Sequence, residues 1–213
     1  QLRPGDAVLG EEAGVRGDPG RITWVVDPID GTVNYLYGLP EYAVSIAAVV
    51  GDPTVSGAWH PVAGAVVNPV TGEVYHAHAG GGASVRRGGV EAPLQASTAD
   101  EVGMVLLATG FGYDAHVRLE QALALVEILP AVRDIRRGGS AALDLCKVAE
   151  GLVDAYDERG VNSWDVAAGW VIAAEAGARV GTWGSGSDRP RGILAGPRAL
   201  WEDLSRLVTE AYQ

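Results

Sequence analysis

Short apolar runs cut by Gly, Pro and Asp fill the first half of the chain, and apolar positions three and four apart mark much of the second. "RITWVVDP" (21–28) predicts a short buried strand stopped by Pro28. "EYAVSIAAVVGD" and the stretch from Gly57 to Gly89 predict further strands. Within the latter, Asn68, Pro69 and Gly72 between β-branched runs predict a hairpin turn. Residues 102–109, "VGMVLLAT", predict another core strand.

From 114 to 130, Leu119, Leu123, Val126 and Leu129 stand at helical spacing, with Pro130 as the stop. "RDIRRGG" reads as a strand or strand end. "SAALDLCKVAEG" predicts a helix that Ser140 N-caps and Gly151 terminates. "LVDAYDE" returns as a strand, and "DVAAGWVIAAEAG" predicts a second helix, N-capped by Asp165 and ended by Gly177. "ALWEDLSRLVTEAY" predicts a closing amphipathic helix, and residues 184–192 a surface loop. Hairpins early and strand–helix alternation late imply an α+β layered sandwich, with residues 1–213 as one domain.

Composition narrows the function classes. The chain has 213 residues, 47% hydrophobic, enough for one sizeable core. No apolar run approaches the roughly 20 residues that span a bilayer, and the N-terminal residues lack a signal-peptide core, so a cytoplasmic protein is expected. A net charge of −11 disfavours nucleic acid and anionic membrane as partners. The single cysteine, Cys146, lies in an apolar-faced helical stretch and reads as a buried, inert thiol.

The candidate chemistry lies in "VVDPIDGTVN" (25–34). Pro28 biases Asp27 away from helical angles, so the strand must turn. That turn can aim Asp27, Asp30 and the Ile29 carbonyl at one point, and three hard oxygens suit Mg²⁺. Gly31 and Thr32 then open a turn or helix whose free N–H groups suit an anion. Metal and anion pocket together suggest a phosphate ester, although the same residues also make ordinary turns. "VLGEEAG" supplies Glu11 and Glu12 at another strand end, and "NSWDVAAGW" supplies Asp165. His76 and His78 alternate along a strand, and an ordinary strand surface explains them.

These segments, "GEE", "WVVDPIDGTVNY", "GSAALDLCKVAEGLVDAYDE" and "WDVAAGWVIAAEAG", occur in the order and spacing of the inositol monophosphatase family, which the chain resembles from about residue 8 to about residue 180. The resemblance implies a five-layered αβαβα sandwich of the sugar-phosphatase type and a Mg²⁺-dependent, typically lithium-sensitive phosphomonoesterase that forms a homodimer. It assigns Glu11, Asp27 and the Ile29 carbonyl to a first Mg²⁺, and Asp27, Asp30 and Asp165 to a second, with a third ion near Glu11. It places the phosphate on the Gly31 and Thr32 N–H groups, and substrate contacts at Gly139, Ser140 and Ala141. Glu158 matches the carboxylate that accepts from sugar hydroxyls.

Asp30, Glu11 and Thr32 thereby stand as the catalytic candidates. The expected substrate is inositol 1-phosphate or a similar small polyol phosphate. The alternatives are histidinol phosphate or another small ester of the same family, and a non-catalytic partner of the transcription machinery. Family members carry helices and a hairpin before the GEE segment, including an Asp that pairs with the threonine at Thr32. That segment has no counterpart in these residues, so a longer molecule is expected, and intact mass tests it.

Overall fold

A computed structural model describes residues 5–12, 14–17, 22–184 and 192–213. One sheet has eight strands: β1 (Ala7–Gly10), β2 (Gly14–Arg16), β3 (Thr23–Asp30), β4 (Ala43–Gly51), β5 (Trp59–Asn68), β6 (Glu73–His78), β7 (Ala83–Arg87) and β8 (Val90–Pro93). Their spatial order is β2-β1-β3-β4-β5-β6-β7-β8, and β1 runs parallel to β3 while the other neighbours are antiparallel. The second sheet has β9 (Leu106–Thr109), β10 (Asp134–Arg136), β11 (Ala155–Arg159), β12 (Arg179–Trp183) and β13 (Gly192–Gly196), in the order β10-β9-β11-β13-β12. The helices are α1 (Thr32–Tyr37), α2 (Ala115–Ala131), α3 (Ala141–Glu150), α4 (Ser163–Glu175) and α5 (Trp201–Ala211).

The α3–α4 pair fills the space between the two sheets. One core cluster joins Val25, Ala47 and Val66 of the large sheet to Leu145, Ala168 and Ile172 of these helices and to Tyr156 and Ile193 of the small sheet. A second cluster lies on the other face of the small sheet, where Leu107, Ala155 and Leu194 meet Ala124 and Ile128 of α2 and Leu204 and Val208 of α5. Strand period explains the division: Ala155 faces one cluster and Tyr156 the other, so β11 is buried on both faces. Gly64 permits a close approach of β5 to α4, because a Cβ there would lie 2.7 Å from the Ala168 Cα.

The layered α+β architecture follows the expectation from sequence, with four layers among the described residues: sheet, helices, sheet, helices. No helix among them covers the outer face of the large sheet, where Val8 and Ile46 are 38% and 39% exposed. Pro28 does not stop its strand. β3 continues to Asp30 through a register irregularity between Asp27 and Asp30, so no ladder bond is asked of the proline nitrogen. Residues 102–104 form a 3₁₀ turn before β9 rather than part of the strand.

Pro130 likewise sits within the last turn of α2. That helix buries Gln121, Ala124 and Ile128, while Leu119, Leu123, Val126 and Leu129 are 47–66% exposed. Ser140 and Gly151 cap α3 as the sequence suggested, with Gly151 in the left-handed region. Asp165 is not the N-cap of α4: Asn162 is, and Asp165 is the third helical residue, closing a capping box. Cys146 is fully buried. The loop expected at 184–192 falls largely on residues 185–191, which lie outside the described residues.

Candidate metal centre and active site

The irregular end of β3 builds the first part of the site. Asp27 pairs in register with Ser45 of β4, and its carboxylate accepts the Ile29 N–H at 2.9 Å. Ser45 donates to the Trp164 carbonyl at 3.3 Å, which ties β4 to the start of α4 and so brings Asp165 toward Asp27. Asp30 is held from the other side: its Oδ2 accepts the Ser140 hydroxyl and the Ala142 N–H at 2.8 Å, both at the start of α3. Both bonds fall on one oxygen, which leaves Oδ1 for another partner.

Carboxylate oxygens of Asp27, Asp30 and Asp165 converge within 4.8 Å of one another. Burial raises all three acids to about 7. Asp30's charge adds to the rise at Asp27, and the Ser140 and Ala142 donors oppose the rise at Asp30. Three anionic groups so close, two of them buried, need protons or a cation to offset their repulsion. An all-oxygen donor set fits a hard divalent ion such as Mg²⁺. Glu11 follows β1 and lines the same cavity, outside the close triad.

Gly31 stands between β3 and α1 with φ 90°, and a Cβ there would meet the Glu41 carbonyl at 2.9 Å and the Gly139 carbonyl at 3.1 Å. Only glycine fits this junction. The Thr32 hydroxyl donates to the Ile29 carbonyl at 3.0 Å. The neighbouring Asn34 is buried and bridges the Glu41 and Gly138 carbonyls at 2.6 and 2.9 Å, which fixes the approach to α3. Sequence reasoning missed Asn34. Its signal was an amide side chain between Val33 and the aromatic and apolar run Tyr35–Tyr37 of a short helix.

The cavity measures about 240 Å³. It is lined by Glu11, Asp27, Ile29, Asp30, Gly31, Thr32, Gly139, Ala141, Glu158 and Asp165 among the residues the sequence singled out. Ser140 is instead 1% exposed and faces Asp30. Glu158 enters from β11 and accepts the Tyr156 hydroxyl at 2.8 Å. Burial raises Glu158 to about 7. Gly110 lies so close that a Cβ would overlap the Glu158 carboxylate. Phe111, Tyr113 and Arg137 also line it and were not legible beforehand, because they sit in loops without periodicity. The histidines take no part: His76 lies 3.5 Å from Glu91 on the strand surface.

Two sheets sandwiching a helical pair, with a carboxylate triad at a strand end beside a glycine-opened helix, define a layered α+β protein of the acidic metal-site class. The inositol monophosphatase family model matches residues 1–211, and the chain belongs to that family. It is 54% identical over 185 residues to an inositol-1-monophosphatase of Mycobacterium bovis, covering 84% of this chain and 61% of that protein. It is 40% identical over 198 residues to a Nus factor SuhB of Xylella fastidiosa, covering 92% of this chain and 67% of that one. The solved Mycobacterium tuberculosis SuhB matches with a TM-score of 0.85 at 47% identity, covering 99% of this chain and 78% of the other. The chain thus spans about three fifths of the length of the mycobacterial relatives it matches in sequence.

Proposed function

We propose that the chain carries the catalytic site of a Mg²⁺-dependent phosphomonoesterase that hydrolyses inositol 1-phosphate or a similar small polyol phosphate. The observation that carries this reading is the convergence of Asp27, Asp30 and Asp165 within 4.8 Å beside Gly31 and Thr32. Asp27, Asp30, Asp165, Glu11 and the Ile29 carbonyl would hold two to three Mg²⁺ ions. When bound, such ions offset phosphate charge and lower the pKa of water toward neutrality.

The protein's own groups divide the remaining work. Ser140 and Ala142 fix Asp30, and the Asn162 N–H fixes Asp165 at 2.6 Å. The Gly31 and Thr32 backbone receives the phosphate, and Gly139 and Ala141 border the ester. Glu158, anchored by Tyr156, accepts from hydroxyls of the alcohol. Among similar structures, SaIMPase-II was solved with inositol monophosphate bound, at a TM-score of 0.76 and 30% identity.

A scaffold role in transcription, which the name of the Xylella relative suggests for that protein, has no need of a repulsive carboxylate cluster. A homodimer in the cytoplasm accompanies the catalytic reading. The exposed apolar side chains Leu36 and Tyr37 of α1, 72% and 81% exposed, support self-association, and light scattering measures it. The functional test is phosphate release from inositol 1-phosphate and histidinol phosphate, with Mg²⁺ and with EDTA. Mg²⁺-dependent release that Asp30→Asn abolishes is expected. Equal release by that variant would refute the assigned site.

A further inference from the structure

Five carboxylates and a single cation face the cavity. Glu11, Asp27, Asp30, Asp165 and Glu158 are its acids, and Arg137 is the one lysine or arginine among the described residues lining it. Arg137 stands in the loop between β10 and α3, two residues before Gly139. Its guanidinium lies across that glycine, for a Cβ on Gly139 would come within 2.5 Å of Nη1. Glycine at 139 therefore opens the space the guanidinium uses.

The Arg137 charge acts at a distance on Glu158 and Asp144, but no described residue is bonded to it. Among the described residues Arg137 forms no ion pair, whereas its neighbour Asp144 is already paired with Lys147 at 2.8 Å. A guanidinium without an ion-pair partner among the described residues, at the wall of a small polar cavity, is a donor fork open to an acceptor. Glu158 and Arg137 then form a matched pair of opposite hydrogen-bonding character. Glu158 is anchored by Tyr156 and accepts, while Arg137 donates and carries the positive charge.

The charge of the leaving alcohol decides between them. A polyol can donate a hydroxyl to Glu158 and offer an oxygen to Arg137. An alcohol with a second anionic group gains a charge-assisted bond at Arg137. An alcohol carrying an ammonium or imidazolium is drawn to Glu158 but repelled by Arg137 at short range, where solvent screening is weakest.

We infer that Arg137 is the specificity-determining residue of the leaving-group half of the cavity. It favours phosphate esters whose alcohol is anionic or rich in acceptor oxygens, and it disfavours cationic ones. This rests on the phosphatase reading above.

The test compares kcat/KM for fructose 1,6-bisphosphate, inositol 1-phosphate and histidinol phosphate in the parent chain and in Arg137→Ala, Arg137→Lys and Arg137→Glu. The same ligands are titrated calorimetrically to give Kd. The expected result is a fall of about tenfold or more in the bisphosphate-to-histidinol-phosphate ratio in Arg137→Ala, the size of one lost charge contact. Arg137→Lys should keep most of the preference and Arg137→Glu should invert it. A parallel loss for all three substrates, or a ratio unchanged within about twofold, overturns the inference. If no substrate turns over, the phosphatase reading fails, and the ratio of Kd values still decides the role of Arg137.

Discussion

Ser140 donates its hydroxyl to the same Asp30 oxygen that accepts the Ala142 N–H, while its own oxygen accepts the Leu143 N–H at 3.2 Å. One buried side chain thus caps α3 and orients a carboxylate of the triad. Ser140→Ala should cost about 1–2 kcal/mol through the lost cap and the unpaired donor. It should also weaken Mg²⁺ binding, since Asp30 loses one of the bonds that hold it. Urea unfolding and Mg²⁺ titration of the same variant measure the two effects. Unchanged Mg²⁺ affinity would reduce the serine to a helix cap.

Metal affinity should depend on pH in a defined direction. Asp27, Asp30 and Asp165 are raised by burial to about 7, and a cation binds their ionised forms. Protons therefore compete below pH 7, and the apparent Kd for Mg²⁺ should strengthen as pH rises toward about 7, then level off. The metal-free protein shows the opposite trend. Between the ordinary carboxylate range and 7 the folded state holds protons that the unfolded state has released, so stability falls as pH rises. Thermal unfolding with EDTA and with Mg²⁺ at pH 5.5 and pH 8 checks both. The Mg²⁺-induced rise in Tm should be larger at pH 8.

Gly64 links packing to chemistry. A Cβ there would lie 2.7 Å from the Ala168 Cα and 2.9 Å from the Ala168 carbonyl, so α4 must shift rather than a flexible side chain. Gly64→Ala should destabilise by about 1–3 kcal/mol. Because α4 carries Asp165, it should also weaken Mg²⁺ binding, although residue 64 touches no carboxylate. Stability loss with normal Mg²⁺ affinity would show that the triad tolerates movement of the helix.

Asp157 is 1% exposed and faces the core beneath α5, and burial raises it to about 8. The folded protein keeps it protonated at pH values where the unfolded chain does not, so stability declines from about pH 4 to about pH 8. Asp157→Asn removes the share of that decline that Asp157 contributes. Relative to the parent, the variant should gain at least about 1 kcal/mol between pH 5 and pH 8.5 in urea unfolding. Parallel pH profiles would place the proton elsewhere.

Elements with local signals were legible in the sequence. Ser140 and Gly151 bracket α3, and the Asn68–Gly72 turn joins β5 to β6, because capping and turn chemistry act within a few residues. The carboxylate triad was legible through a long, ordered resemblance. Tertiary packing overrode local rules elsewhere. Pro28 continues a strand because the irregularity at Asp27–Asp30 excuses its missing N–H. In α2, which lies on the outside of the fold, Leu119, Leu123 and Val126 are exposed, while Gln121 is buried and its side chain bonds the Gly112 N–H and the Arg159 carbonyl. Arg137 and Tyr113 come from loops, whose positions depend on the layers they connect.

The triad also sets an order of events during synthesis. Asp27 and Asp30 emerge early, but Asp165 follows 138 residues after Asp27 (165 − 27) and takes its place on the helix between the two sheets. A nascent or truncated chain ending before residue 165 carries only two of the three carboxylates. If the triad binds a divalent ion as proposed, tight capture of that ion would report that the middle layer has been made and docked.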